Sequence, residues 1–142
     1  MGGRDTGGLG STSMRIIAAV FIDTIQLREA PGPSTRIDLG GVKFSEVAPG
    51  PAPVTVEPHL VVLVHCPQDH KGEAALEVVY RRDGEQIARN VQMLSVEPGK
   101  FNYRLVRAEL TFDTYGVVEA NIRIDLGDPV VVPYTLLPPV EG

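Results

Sequence analysis

The sequence predicts an all-β fold, an antiparallel β-sandwich of about seven to nine short strands. Three observations carry the prediction. From Val118 to Leu126 apolar and polar side chains alternate without error, with Val118, Ala120, Ile122, Ile124 and Leu126 on one face and Glu119, Asn121, Arg123 and Asp125 on the other. Asp83-Gly84, a pair suited to positive φ at both central positions of a type I′ turn, stands between two strand-like runs. The fifteen residues FNYRLVRAELTFDTY, 101–115, lack Gly and Pro yet fit strand alternation (Val106, Ala108, Leu110, Phe112) better than helical spacing (Leu105, Ala108, Phe112).

Composition bounds the rest. The chain has 142 residues, a formal charge of −5, 15 glycines and 12 prolines. It is long enough for one domain with its own core, rich in turns, and free of any apolar run of membrane-spanning length. An apolar signal stretch is missing from the first thirteen residues, so a cytoplasmic protein is expected. The acidic balance and the lack of a long Lys/Arg cluster argue against nucleic acid as partner. One cysteine, Cys66, allows no internal disulfide.

Element by element, residues 1–13 (MGGRDTGGLGSTS) read as a flexible Gly/Ser-rich tail, and residues 14–139 as a single domain. Arg15 to Asp23 reads as a first strand, apolar enough to be covered on both faces. The breaker clusters at 30–34 and 48–53 bracket a strand from Arg36 to Phe44, bent at Gly40-Gly41. His59 to Cys66, apolar on both parities, should be the most buried strand. At the Asp83-Gly84 hairpin a two-residue loop sets Arg82 opposite Glu85 and Tyr80 opposite Ile87; Val78 would then meet Arg89, so the ladder should end or bulge near 88–90. Gly127-Asp128 suits a type II′ turn that sets Ile124 opposite Val131 and Ile122 opposite Pro133. A proline inside the last strand makes that strand an edge.

The succession of an apolar first strand ending in Asp23 (AAVFID), a strand entering a glycine (RIDLGGVKF), a hydrophobic third strand (HLVVLVHC), a central hairpin and a closing alternating hairpin resembles a family of small uncharacterised bacterial β-sandwich proteins, a domain of unknown function with an immunoglobulin-like or C2-like layout. The likeness runs from Met14 to Pro139. It departs from the usual closing motif in placing Tyr115 before Gly116 instead of an aromatic after the glycine. The resemblance implies a fold and brings no catalytic residue with it.

Candidate chemistry is sparse. His59, His65, Cys66 and His70 fall within twelve residues. On one strand His59 and His65 lie roughly 20 Å apart at ~3.3 Å per residue, and His65 and Cys66 point to opposite faces, which leaves His65, Asp69 and His70 as candidate metal ligands. The competing reading, exposed histidines and a core thiol, is the favoured one. Asp23, Asp83, Asp113, Asp125 and Asp128 lie near strand ends, where a C2-like calcium site would gather them; antiparallel topology should instead divide them. Of the aromatics, Tyr80, Phe21 and Phe112 are assigned to the core, and Phe44, Phe101, Tyr103, Tyr115 and Tyr134 to a possible surface set. The basic residues Arg81, Arg82 and Arg89, and Lys100, Arg104 and Arg107, have acidic neighbours and read as solvated sheet faces. No G-x-S-x-G, Walker, G-x-G-x-x-G or H-E-x-x-H motif occurs.

The expectation is therefore a non-catalytic sandwich without a cofactor, acting as a protein-interaction module or as one subunit of a larger assembly, through a protein partner or self-association and without nucleic acid or membrane. The alternative is a sandwich that binds a small ligand or a metal ion, Ca or Zn.

Overall fold

The computed structural model describes residues 13–32 and 34–140. Apart from Ser13, the expected tail lies outside the described residues. Those residues form an all-β structure without helix. Its strands are β1 (Arg15–Ile22), β2 (Thr24–Arg28), β3 (Arg36–Gly40), β4 (Ser45–Val47), β5 (Val54–Val56), β6 (His59–His65), β7 (Glu73–Arg82), β8 (Glu85–Ser95), β9 (Phe101–Arg107), β10 (Leu110–Phe112), β11 (Gly116–Ile124) and β12 (Val130–Leu137).

One sheet has the order β1-β6-β9 and is antiparallel; a second, mixed sheet has the order β4-β12-β11-β7-β8, its β4-β12 pair parallel. A single buried cluster draws on both, joining Phe21, Leu60, Val62, Val64 and Val106 to Leu76, Tyr80, Ile122, Tyr134 and Leu136. Burying each such side chain contributes on the order of 1.5–3 kcal/mol, so the fold rests on this shared layer. β6 lies at its centre: Leu60, Val61, Val62 and Val64 are fully buried, as the two-parity apolar run predicts.

Twelve strands exceed the expected number for identifiable reasons. The short β5-β10 pair keeps the register of β6-β9 across a break, since Val56 faces Leu110 as His59 faces Arg107. Pro58 sits in that break and donates no hydrogen bond to a ladder. The remaining excess is β4 and β2, the latter pairing with the expected β3 in a hairpin. Among the described residues this hairpin pairs with no other strand, and it follows directly on the end of β1.

Other expectations are corrected. β1 borders its sheet, is bulged between Ile16 and Ala18, and leaves Ile17 45% exposed, so it is covered at Phe21 and Ile22 but not along its length. The strand expected from Arg36 to Phe44 stops at Gly40; Gly41 has φ +64°, and Lys43 makes an isolated bridge to Phe21.

In the central hairpin Asp83 and Gly84 have φ +51° and +83°, the two positive values of a type I′ turn, and Arg82 faces Glu85. Tyr80, however, faces Ala88, because a bulge next to Arg81 takes up Ile87. The one-residue slip places Asn90 opposite Val78 and lets β8 run unbroken to Ser95. It also turns Val91 and Met93 outward, Met93 to 70% exposure.

The closing hairpin departs furthest. Ile122 faces Val130 and Glu119 faces Pro133, and the reversal occupies residues 125–129. Asp125, at φ +53°, explains this: its N–H donates to the Ala75 carbonyl at 2.7 Å and its carboxylate accepts from the Ala75 N–H at 3.0 Å, which binds the end of β11 to β7 instead of to β12. β12 is not an edge throughout, because β4 pairs with Thr135–Leu137. Pro133 lies outside the β4 ladder, where its missing N–H costs nothing.

Tyr80 is fully buried on β7, and its hydroxyl has no hydrogen-bond partner among the described residues. Burial pushes the phenol well above its ordinary pKa. Removing an unsatisfied hydroxyl while keeping the ring relieves its desolvation cost, so Tyr80→Phe is expected to raise stability by about 1 kcal/mol in urea unfolding. A loss of stability would show that the hydroxyl is partnered in solution.

Candidate functional site

At one end of the molecule a cleft of about 510 Å³ opens between the start of β1, the loop after β6 and the reversal after β11. Its walls include Ile16, His70, Ile124, Asp125, Asp128 and Val130, with Arg15 beside them. Hydrogen bonds between Asp125 and Ala75 fix one wall. The other comes from a turn in which the His70 N–H donates to the Pro67 carbonyl at 3.2 Å. That turn swings the His70 ring back so that its Nδ1 accepts the Gly72 N–H at 2.9 Å and lies 3.7 Å from Cys66 Sγ. Asp128 is exposed and has no partner among the described residues. Leu126, between two wall residues, is 85% exposed.

The residues singled out in the sequence are scattered. His65 packs against Phe101, its cross-strand partner on β9, with ring centres 4.8 Å apart and the rings tilted by 51°. Asp69 is exposed on the loop, and His59 opens β6 opposite Arg107. His65, Asp69 and His70 therefore do not form a ligand set. Among the described residues no group of three or more His, Cys, Asp or Glu side chains is placed to hold a metal ion. Of the strand-end aspartates, only Asp125 and Asp128 share a site. Asp23 pairs with Lys43 at 2.9 Å, and Asp83 serves the type I′ turn.

Tyr134, assigned to the surface set, is fully buried; its ring lies 4.7 Å from that of Phe21, and its hydroxyl donates to the Glu46 carboxylate. Burial, the bond to Glu46 and the nearby negative charge of Glu46 and Asp23 all hold this phenol well above its ordinary pKa. Phe44 and Phe101 do lie at the surface, 72% and 61% exposed.

Two features were not found in the sequence. One is the contact of Cys66 with His70, because strand alternation relates Cys66 only to His65, its neighbour in sequence, and not to a residue of the following loop. The other is an ion network on the outer face of the five-stranded sheet. There Glu77 accepts from Arg123 Nε at 2.6 Å and from Arg89 Nε at 2.8 Å. The two arginine bonds hold the Glu77 carboxyl below its ordinary value of 4.5. Because the folded value is the lower one, the network's contribution is present above pH 4.5 and is lost as pH falls through the folded value. The unfolding midpoint of the native chain should therefore exceed that of Glu77→Gln at neutral pH and converge with it in acid. A pH-independent difference would rule out the charge effect.

Arg82 shows why the group of Arg81, Arg82 and Arg89 is not a free patch: it donates to the Thr114 and Tyr115 carbonyls at 2.6 and 2.8 Å and lies over the Phe112 ring.

No protein-family model and no curated protein matches this chain. Among the described residues no helix is long and apolar enough to cross a membrane.

Proposed function

We propose that the chain is a non-catalytic, immunoglobulin-like β-sandwich that works as a protein-interaction module or as one subunit of a larger assembly. The strand order supports the immunoglobulin-like layout: β12-β11-β7-β8 follow one another as the G, F, C and C′ strands do in that fold, and β1 and β6 pair as A and B. The observation that carries the functional reading is the β2-β3 hairpin.

Its cross-strand pairs Ile25–Leu39 and Leu27–Ile37 share one face, while Thr24, Gln26, Arg28, Arg36 and Asp38 take the other. This is the alternation of a half-buried strand pair, yet none of the four aliphatic side chains belongs to the buried core or packs against it, and Leu27 is 63% exposed. A lone two-stranded hairpin is marginal in water. An amphipathic arm of this kind gains its order by covering its apolar face with another protein.

Hydroxyl-radical footprinting tests the reading, comparing the purified chain with the same chain in native cell extract. Leu27 and Ile37 are expected to be labelled in dilute purified protein and protected in extract or at high protein concentration. Full labelling under all three conditions would remove the reading.

A further inference from the structure

The outer face of the five-stranded sheet carries a hollow of about 280 Å³ whose lining includes Glu77, Val79, Arg81, Gln86, Asn121 and Arg123. We propose that this hollow binds a small hydroxylated dianion, a phosphate monoester or a hydroxydicarboxylate. The site shares no residue with the β2-β3 hairpin, so the two readings stand or fall separately.

Strand register brings these side chains together. Val78, Tyr80, Ala120 and Ile122 belong to the core, so Glu77, Val79 and Arg81 on β7 and Glu119, Asn121 and Arg123 on β11 share the opposite face. Arg123 stands opposite Glu77, Asn121 opposite Val79, and Gln86 on β8 opposite Arg81. Charged ends thus flank an apolar floor, Val79, which is 8% exposed.

The charge of the hollow is set by Glu77, which takes one arginine on each oxygen, Arg123 Nε at 2.6 Å and Arg89 Nε at 2.8 Å. Both guanidiniums are held by Nε. Among the described residues the Nη end of each, the fork that fits two oxygens at once, is therefore unoccupied. Arg81 makes one long bond, from Nη1 to the Gly84 carbonyl at 3.5 Å, and no ion pair among the described residues, not even with Glu119 across the strand pair. Three guanidiniums around one carboxylate leave two positive charges in excess, on a chain whose formal charge is −5. Exposed Glu119 weakens that field at the Arg81 end without closing on it. A ligand of charge −2 matches it.

Two amides narrow the chemistry further. Asn121 Nδ2 donates to the Val79 and Glu119 carbonyls, both at 3.4 Å, which leaves Oδ1 as the atom offered to a ligand. An acceptor at that point suits a hydroxyl. Gln86 has no hydrogen-bond partner among the described residues, and its amide supplies a further donor beside Arg81. The hollow is smaller than the ~300–1,000 Å³ usual for drug-sized ligands, which confines the ligand to a few carbon atoms.

NMR titration of the isotope-labelled full chain tests this, at constant ionic strength and about pH 7.5, above the second phosphate pKa of about 6. Glycerol phosphate and malate are the probes, one for each source of the dianion, and acetate is the singly charged control. At least one dianion should shift the Gln86 and Asn121 side-chain amides to saturation and bind about tenfold more tightly than acetate; the tighter of the two names the source. Arg81 is exposed, so Arg81→Gln should keep the native thermal midpoint while weakening that binding about tenfold. Arg81→Lys keeps the charge, loses the fork and should recover only part of the affinity. Arg107→Gln, on β9 of the other sheet, removes the same charge and should leave affinity unchanged.

A native chain whose two amides show no saturable shift with either dianion overturns the proposal. So does acetate that binds as well as the dianions, or Arg107→Gln that weakens binding as much as Arg81→Gln, since either marks a diffuse charge effect. Native affinity in Arg81→Lys overturns it too, because the fork would then play no part. The native titrations decide the matter even should Arg81→Gln fail to fold.

Discussion

Phe21→Ala is expected to cost about 4 kcal/mol of folding stability, read as a lower urea midpoint at unchanged m. Phe21 lies next to the last residue of β1, 1% exposed and with its ring tilted 50° against that of Tyr134, so it joins the outer strand of one sheet to β12 of the other. Truncation removes the transfer free energy of the ring and leaves a hole, and the size of the loss depends on how far the surroundings can close it. They are poorly able to do so. The Tyr134 hydroxyl is tied to Glu46, Lys43 bridges Glu46 and Asp23, and the Phe21 carbonyl accepts the Lys43 N–H at 2.9 Å. Ile17→Ala, on the same strand at 45% exposure, is the control and should cost less than about 1 kcal/mol. A Phe21→Ala loss as small as the control's would mean that the two sheets are not joined at this point.

What was legible in the sequence follows from where local chemistry decides. β6 could be read because an apolar run on both parities has few other solutions, and β11 because strict alternation requires one covered face. Asp83-Gly84 could be read because few residue pairs accept positive φ twice in succession. The register beyond that turn could not. Ile87 enters the bulge without any glycine to mark it, and the slip it causes sends Val91 and Met93 outward and half-buries Asn90 and Gln92, the reverse of what their chemistry suggests. At 125–129 the apparent turn residues Gly127 and Asp128 were outweighed by a long-range pair of bonds between Asp125 and Ala75, which has no local signature.

The site was legible to a similar degree. Asp125 and Asp128 come together because they share one loop, while Asp23 is drawn off by Lys43 from a segment twenty residues later. Cys66 and His70 meet because the chain reverses after Pro67, an event that alternation along a strand cannot encode. β2 escaped notice for a related reason. Its Ile25 and Leu27 look like loop residues until Leu39 and Ile37 are set beside them.

Gly72→Ala should cost about 3 kcal/mol, far more than the same change at Gly84. Both glycines have positive φ, +92° at Gly72 and +83° at Gly84, so alanine pays a conformational penalty of about 1–2 kcal/mol at either site. They differ in what surrounds them. A Cβ at Gly84 meets open space, whereas one at Gly72 falls 2.6 Å from the Val96 carbonyl oxygen. That oxygen cannot simply withdraw, because the Val96 N–H of the same residue donates to the Gly72 carbonyl at 2.8 Å. Moving Gly72 instead breaks the bond from its N–H to His70 Nδ1 and frees the wall of the cleft that the ring forms. The His70 ring signal in an NMR spectrum is thus a second readout: its chemical shift should move in Gly72→Ala and not in Gly84→Ala. Equal losses of stability in the two variants, with His70 unaffected in both, would show that the loop after β6 yields freely and that the cleft wall is not held from this side.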